Sequence, residues 1–314
     1  MSSIRNEPKQ AFIVINPASG IGNGITIKNI CKQQFTRAGW TCSFHMTLKG
    51  ENTAPLVKKA VDDGADLVVA VGGDGTIAAV AAGLVDSEVP LGIIPSGTWN
   101  AIARHLYIPF NTIRAIALMT GKHTIREMDM MSDGDSYHAM NLSVGFSAKM
   151  NENASREIKK KIGALAYIRH FFNLIFGLEM QRYVVQADGF TYRGRASEIF
   201  IANYGVAGLH ILEDRLDIHP DDGKVDVLII RARTLLDMPA LLWQMLIRKD
   251  KRTPKYRQFT ASNTVTISTY PPSLVQADGE LIGMTPVNIT VLPRKIKVIA
   301  PLPAPVILPQ FLQS

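Results

Sequence analysis

Leu67-Val-Val-Ala-Val71 runs directly into Gly72-Gly-Asp-Gly-Thr76 and on into Ile77-Ala-Ala-Val-Ala-Ala-Gly-Leu84. With Asp66 before it, the first run reads as a strand Asp66–Val71, apolar on both faces as a central parallel strand covered by helices should be. The glycines mark a tight turn, and the Ala-rich stretch Thr76–Leu84 reads as the helix leaving it. Working outward, the same unit repeats. Upstream, Ala11–Asn16 (AFIVIN) reads as a strand closed by Pro17-Ala-Ser-Gly20, followed by helical spacing over Ile25–Ala38, a strand at Thr41–Thr47 and a helix at Ala54–Asp63 ended by Gly64. Downstream, Leu91–Pro95 is a further strand and Trp99–Leu106 a further helix. Alternating strands and helices imply an α/β layer with a parallel sheet.

The rhythm changes after about Asp129. Strand-like runs at Tyr183–Ala187, Ala196–Asn203, Val225–Arg231, Thr264–Thr269, Leu274–Ala277 and Val287–Leu292 are separated by Asp188-Gly189, Arg193-Gly194, Asp222-Gly223 and Asp278-Gly279. Such dipeptides supply the backbone that tight turns need. This half therefore reads as an all-β antiparallel sandwich, with helical blocks at Ser155–Leu178 and Leu235–Lys249. The expected division is residues 1–128 for the nucleotide-binding α/β domain, 129–300 for the β-sandwich, and 301–314 for a proline-rich tail.

Composition narrows the class. Of 314 residues, 46% are hydrophobic and 19% charged, which excludes disorder, collagen and a disulfide scaffold. A net charge of +7 favours anionic partners. Cys31 and Cys42 fit no metal spacing, the N-terminus has no signal-peptide core, and the most apolar stretch, Ile162–Met180, is interrupted by Arg169 and His170. The expectation is a cytoplasmic protein that at most lies on the inner face of a membrane. No helix-turn-helix, zinc finger or RNP signature accompanies the charge, so no nucleic acid is expected. The sequence carries no signature of oligomeric state.

Three strand-to-helix junctions share one chemistry: Asn16-Pro-Ala-Ser-Gly20, Gly72-Gly-Asp-Gly-Thr76 and Ser96-Gly-Thr98. The carboxyl ends of parallel strands face a common crevice, where glycines bring backbone N–H groups and helix N-termini up to phosphate. Thr76 and Thr98 can add hydroxyls. Asp74 puts a carboxylate into a loop otherwise built for phosphate, which is tolerable if a divalent cation lies between them or if it orients other groups. Nucleotide plus Mg²⁺ points to phosphoryl transfer. There is no Walker P-loop and no Gly-x-Gly-x-x-Gly after a strand.

Together with Pro95-Ser-Gly-Thr-Trp-Asn-Ala-Ile-Ala-Arg104, these motifs resemble, in order, those of the diacylglycerol kinase catalytic-domain family, which includes bacterial soluble lipid kinases and sphingosine kinases. The resemblance runs from about Ala11 to Pro301. It implies an α/β domain like that of NAD kinases and phosphofructokinases, a β-sandwich lipid-binding domain, and an active site between them. It implies ATP contacts at Asn16, Ser19, Thr47, Gly72, Gly73, Asp74, Gly75, Thr76, Gly97 and Thr98, with Asp129 at the domain junction assisting nucleotide or metal. Catalytic roles are expected at Asp74 and at Glu280, which follows Asp278-Gly279 as the family's general base does. The loop His219-Pro-Asp-Asp-Gly-Lys224 resembles a structural Mg²⁺ loop, implying the Asp222 side chain and the carbonyls of His219 and Lys224 as ligands. Ala79 and Ala101 stand where many members carry Glu and Asp.

Gln-Ala-Asp-Gly occurs twice, at Gln186–Gly189 and Gln276–Gly279, and the first copy reads simply as a turn. Two basic amphipathic segments offer peripheral membrane contact. In Ser155–Leu178, Arg156, Lys159, Lys160, Lys161 and Arg169 accompany an apolar face; in Leu235–Arg252, Trp243 precedes Arg248, Lys249, Lys251 and Arg252. The expected activity is ATP- and Mg²⁺-dependent transfer of a phosphoryl group to a hydroxyl of a diacylglycerol-like or other amphiphilic lipid. The alternatives are an NAD kinase-like enzyme, against which Ala78-Ala79-Val80 replaces that family's Asn-Glu, and a non-catalytic lipid- or nucleotide-binding relative.

Overall fold

A computed structural model describes residues 8–19, 24–149, 178–204, 216–234, 236–247 and 255–303. The first layer runs β1 (Gln10–Ile15), α1 (Gly24–Arg37), β2 (Thr41–Met46), α2 (Ala54–Asp62), β3 (Leu67–Gly72), α3 (Asp74–Ala82), β4 (Leu91–Pro95), α4 (Ala101–His105) and α5 (Thr112–Thr120). Its strands pair in parallel in the order β2-β1-β3-β4. Side chains alternate across this sheet as the pleat requires. Ile13, Ile15, Val69, Val71 and Ile94 join Phe35 of α1 and Ile116 of α5 in one core. Val14, Val68, Ala70 and Ile93 join Val57 of α2, Ile77 of α3 and Ile102 of α4 in another. Every residue of β3 is buried, because helices cover both of its faces.

The second layer contains β5 (Thr124–Ser132), β6 (Tyr137–His138), β7 (Asn141–Gly145), β8 (Gln181–Ala187), β9 (Phe190–Ala196), β10 (Glu198–Ala202), β11 (Val225–Ile230), α6 (Asp237–Ile247), β12 (Tyr256–Ala261), β13 (Thr264–Tyr270), β14 (Leu274–Ala277), β15 (Glu280–Met284) and β16 (Val287–Ala300). A six-stranded antiparallel sheet, β12-β11-β10-β7-β14-β15, faces the β16-β13-β8-β9 end of the larger sheet. Between them lie Val144, Ile199, Ile201, Val227 and Val275 from one sheet and Tyr183, Val185, Val265, Ile267 and Ile289 from the other. This is the expected sandwich.

One strand unites the layers. Val287–Thr290 of β16 pair antiparallel with β13, and from Thr290 to Ala300 the strand pairs antiparallel with β5 across a bulge between Leu292 and Ile296, meeting β4 in parallel at Val298↔Leu91. Its side chains then serve the α/β layer: Ile296 and Val298 enter one core and Ile299 the other. The expected strand end at Leu292 is therefore corrected to Ala300. A second correction concerns Arg193-Gly194, which is no turn: Gly194 sits inside β9 opposite Tyr183, where a Cβ would press on the Tyr192 ring. The segment 155–177, the cationic residues Arg248, Lys249, Lys251 and Arg252, and the tail from 304 onward lie outside the described residues. Among the described residues, no helix is long and apolar enough to cross a membrane.

Candidate active site in the cleft between the layers

The loops leaving β1, β3 and β4 are bonded to one another. Asn16 N–H donates to Val71 O at 3.0 Å, and Asn16 Nδ2 donates to Thr76 Oγ1 at 3.0 Å. Asn16 Oδ1 accepts from Ala18 N at 2.9 Å, which folds the following loop back on itself. Ser19 Oγ donates to Asn16 O at 2.8 Å and lies 3.1 Å from Ser96 Oγ. Thr47 is fixed beside them by its N–H on Ile15 O at 2.9 Å.

The glycines have distinct jobs. A Cβ on Gly72 would strike the Thr76 side chain, and one on Gly97 would strike the backbone of Gly73. These glycines let the loops pack on each other. Gly75 differs, because a Cβ there would meet no atom within 4 Å and would project into open space. It stands in the first turn of α3, whose N-cap Gly73 contributes no side-chain hydrogen bond. No N-cap side chain therefore satisfies the N–H groups of that turn.

A cleft of about 1680 Å³ opens between the layers. Of the residues expected at the nucleotide, Asn16, Ser19, Thr47, Gly73, Gly75 and Thr76 line it, while Gly72, Asp74, Gly97, Thr98 and Asp129 do not. Two of the latter are held by partners within the fold. Asp74 accepts from Ile102 N at 3.4 Å, so its carboxylate is committed to the N-terminus of α4. Burial raises its pKa, against N–H groups of Ile102, Ala101 and Asn100 that favour the charged form. Asp129 is fully buried, and its carboxylate accepts from Gly223 N at 2.6 Å and Arg294 N at 2.8 Å. It joins β5, the loop before β11 and the β16 bulge, where Arg294 adopts a φ of +54°. Each carboxylate oxygen thus accepts from one of these two backbone N–H groups.

The opposite wall carries Asp278, Glu280 and His138. Asp278 and Gly279 have φ of +49° and +93°, the twist that a two-residue hairpin between β14 and β15 demands. The Asp278 carboxylate accepts from Ala139 N, Met140 N and Asn141 N at 2.7, 2.9 and 3.0 Å, binding the hairpin to the start of β7. Burial raises its pKa even so. Glu280 comes next at the first position of β15, exposed to the cleft. Buried His138 holds Asp133 through Nε2···Oδ2 at 3.1 Å. Burial pushes the Asp133 carboxyl up, but the Ser136 N–H and His138 outweigh it and hold the group below its ordinary range. Asp133, His138 and the clamp made by Asp278 escaped sequence reasoning. The doubled Gln-Ala-Asp-Gly was the one signal for the clamp.

The loop from His219 to Lys224 lies before β11. Asp222 Oδ1 accepts from Lys224 N at 3.0 Å, Asp221 pairs with Arg126, and His219 Nε2 lies 3.1 Å from Asp217 Oδ1. Among the described residues no three metal-ligating side chains gather closely enough to cage an ion. Asp222 and Asp221 nevertheless both act electrostatically on Asp129, so three carboxylates share one neighbourhood. An ion there would have Asp222 as its one side-chain ligand, with backbone carbonyls and water, oxygen donors that suit a hard cation, completing its shell.

Comparison with known proteins bears on this geometry. Residues 10–132 match the family model described as diacylglycerol kinase catalytic domain, and residues 140–300 match the YegS C-terminal NAD kinase beta sandwich-like domain. The chain is 28% identical over 298 residues to a diacylglycerol kinase of Bacillus subtilis (strain 168), covering 93% of this chain and 97% of the relative. It is 27% identical over 310 residues to an uncharacterized protein of Synechocystis, covering 93% and 70%. A crystal structure of a diacylglycerol kinase from Bacillus anthracis superposes with a TM-score of 0.70 at 19% identity, covering 96% of this chain and 99% of that one, a likeness of fold.

Proposed function

This chain belongs to the diacylglycerol kinase catalytic-domain family, and from that premise we propose that it is an ATP-dependent lipid kinase acting on a hydroxyl of a diacylglycerol-like or other amphiphilic lipid. The observation that carries the reading is that Gly75 and Thr76, at the N-terminus of α3, and Glu280, from the far layer, line the same cleft. The ATP phosphates lie against the open first turn of α3, where the missing side chain of Gly75 leaves room for them. Asn16, Ser19 and Thr47 hold the nucleotide from the β1 and β2 loops. Glu280 accepts the proton of the acceptor hydroxyl as its oxygen attacks the γ-phosphorus, and the bond to the β-phosphate oxygen breaks to release ADP. Asp278 fixes the hairpin that presents Glu280. Asp74 acts indirectly, by seating α4 behind the glycine loop. Mg²⁺ bound with ATP neutralises phosphate charge, and Asp222 with the carbonyls of His219 and Lys224 would hold a structural Mg²⁺.

The test is incubation of the pure protein with ATP, Mg²⁺ and a total lipid extract, with products identified by mass, beside Glu280→Gln and an arm containing NAD. A phosphorylated lipid made by the wild type and lost in the variant is the expected result. Phosphorylation of NAD alone would overturn the substrate class.

A further inference from the structure

The chain from Trp99 to Ile113 leaves four large apolar side chains in solvent: Trp99 is 58% exposed, Tyr107 85%, Phe110 46% and Ile113 51%. Two of them meet through one arginine. Arg104 Nε donates to Trp99 O at 2.9 Å, and its guanidinium lies 4.7 Å from the centre of the Phe110 ring. Phe110 and Ile113 flank Asn111, which caps α5 by accepting from Arg114 N at 3.1 Å. Arg104 and Arg114 are themselves exposed.

Tyr107 shows that this exposure is imposed. Its neighbours Leu106 and Ile108 are each 3% exposed and sit in the core of the α/β layer. Between these anchors Tyr107 takes a φ of +55°, a left-handed conformation suited to glycine. Tyr107 stands just past the C-cap of α4, where Ile108 N donates back to Ala103 O at 2.8 Å, so the left-handed residue ends the helix and leaves the ring in water. Glycine or asparagine usually fills that position, so the exposed tyrosine is a feature of this sequence and is not demanded by the turn.

The charge of the segment selects the occupant. From Val89 to Arg126 there is no Asp or Glu, while Arg104, Arg114, Lys122 and Arg126 are present. Tryptophan and tyrosine rings beside arginines suit the boundary between lipid headgroups and acyl chains, where the rings enter the apolar layer and the cations meet phosphate. The surface begins at the loop of Gly97, whose backbone packs on Gly73 at the cleft wall. We propose that Trp99, Arg104, Tyr107, Phe110, Ile113 and Arg114 form the face by which this protein docks on anionic phospholipid bilayers. The choice of a bilayer rests on the lipid-kinase reading above, and the surface is distinct from the basic segments singled out in the sequence.

The test is co-sedimentation of the full chain with vesicles of phosphatidylglycerol and phosphatidylcholine in equal parts, and with phosphatidylcholine alone. The wild type is expected to bind the anionic vesicles, less so as salt rises, and to bind the neutral ones weakly. Arg104→Gln with Arg114→Gln should lower the partition constant about fivefold per charge. Tyr107→Gly with Phe110→Ser should lower it about tenfold, while Tyr107→Gly alone keeps or raises the thermal midpoint because it relieves the left-handed residue. Variants that bind anionic vesicles like the wild type, or a wild type that binds none, would overturn the proposal. So would light scattering in which the same substitutions turn a dimer into a monomer with vesicle binding unchanged, since the face would then join copies of this chain. Phosphorylation of a short-chain acceptor dispersed as monomers separates the two readings. The docking variants should match the wild type there, whereas Glu280→Gln should lose turnover yet still bind vesicles.

Discussion

The two Gln-Ala-Asp-Gly hairpins are built alike and part company at the residue after the glycine. Asp188-Gly189 has φ of +42° and +84°, close to the +49° and +93° of Asp278-Gly279. In each, the aspartate accepts from three consecutive backbone N–H groups of a neighbouring segment: Ser262 to Thr264 in the first case, Ala139 to Asn141 in the second. Each carboxylate thus does in three dimensions what its turn does locally, tying a hairpin tip to the start of another strand. Beyond the turn the resemblance stops. Phe190 packs its ring against Phe259 with centroids 4.5 Å apart and seals the sandwich, whereas Glu280 faces the cleft. A common structural device therefore carries packing at one end of the sandwich and the proposed chemistry at the other.

The hardest test of that contrast is Glu280→Gln. It should lower kcat about 100-fold or more with the thermal midpoint unchanged, as read by steady-state lipid phosphorylation and calorimetry. Asp278→Ala should destabilise the fold by ~3 kcal/mol in urea titrations and cut turnover as well, because three N–H groups lose their acceptor. The exposed Asp188→Ala should cost only ~1 kcal/mol and leave kcat alone. Introducing Phe190→Glu into the Glu280→Gln protein should restore no activity while costing ~2 kcal/mol of stability.

The smallest effect is one of pH and has opposite signs in the two hairpins. The Ser262 N–H foremost holds Asp188 below its ordinary 3.8, so its contribution is complete above that pH and is lost as pH falls through the folded value. Burial holds Asp278 above 3.8, so its contribution is present below that pH and is lost as pH rises through the folded value. Thermal midpoints followed across acidic pH should lose the first slope in Asp188→Asn and the second in Asp278→Asn.

Much of the α/β layer was legible because its strands are buried on both faces and its turns are glycine-rich. Leu91–Pro95 is observed with the same ends that its apolar run suggests. The parts that escaped depend on distant partners. Thr124–Ser132 has no strand-like alternation, and it is extended because β16 pairs along it. Phe190–Ala196 carries two arginines and a glycine, and β8 makes it a strand. The site divides the same way. Asn16, Thr76 and Glu280 stand at local motifs and reach the cleft, but an aspartate's letter does not say which donors it will find. Asp74 found the N-terminus of α4, and Asp129 found two N–H groups from segments 94 and 165 positions away.

The strand Val287–Ala300 has a consequence for how the protein is made. While a ribosome is still adding residues before it, β4 presents an open, apolar margin and the neighbouring cores lack Ile296, Val298 and Ile299. A bare strand margin of this kind invites pairing with other chains, and shielding it during translation is a natural task for a holding chaperone.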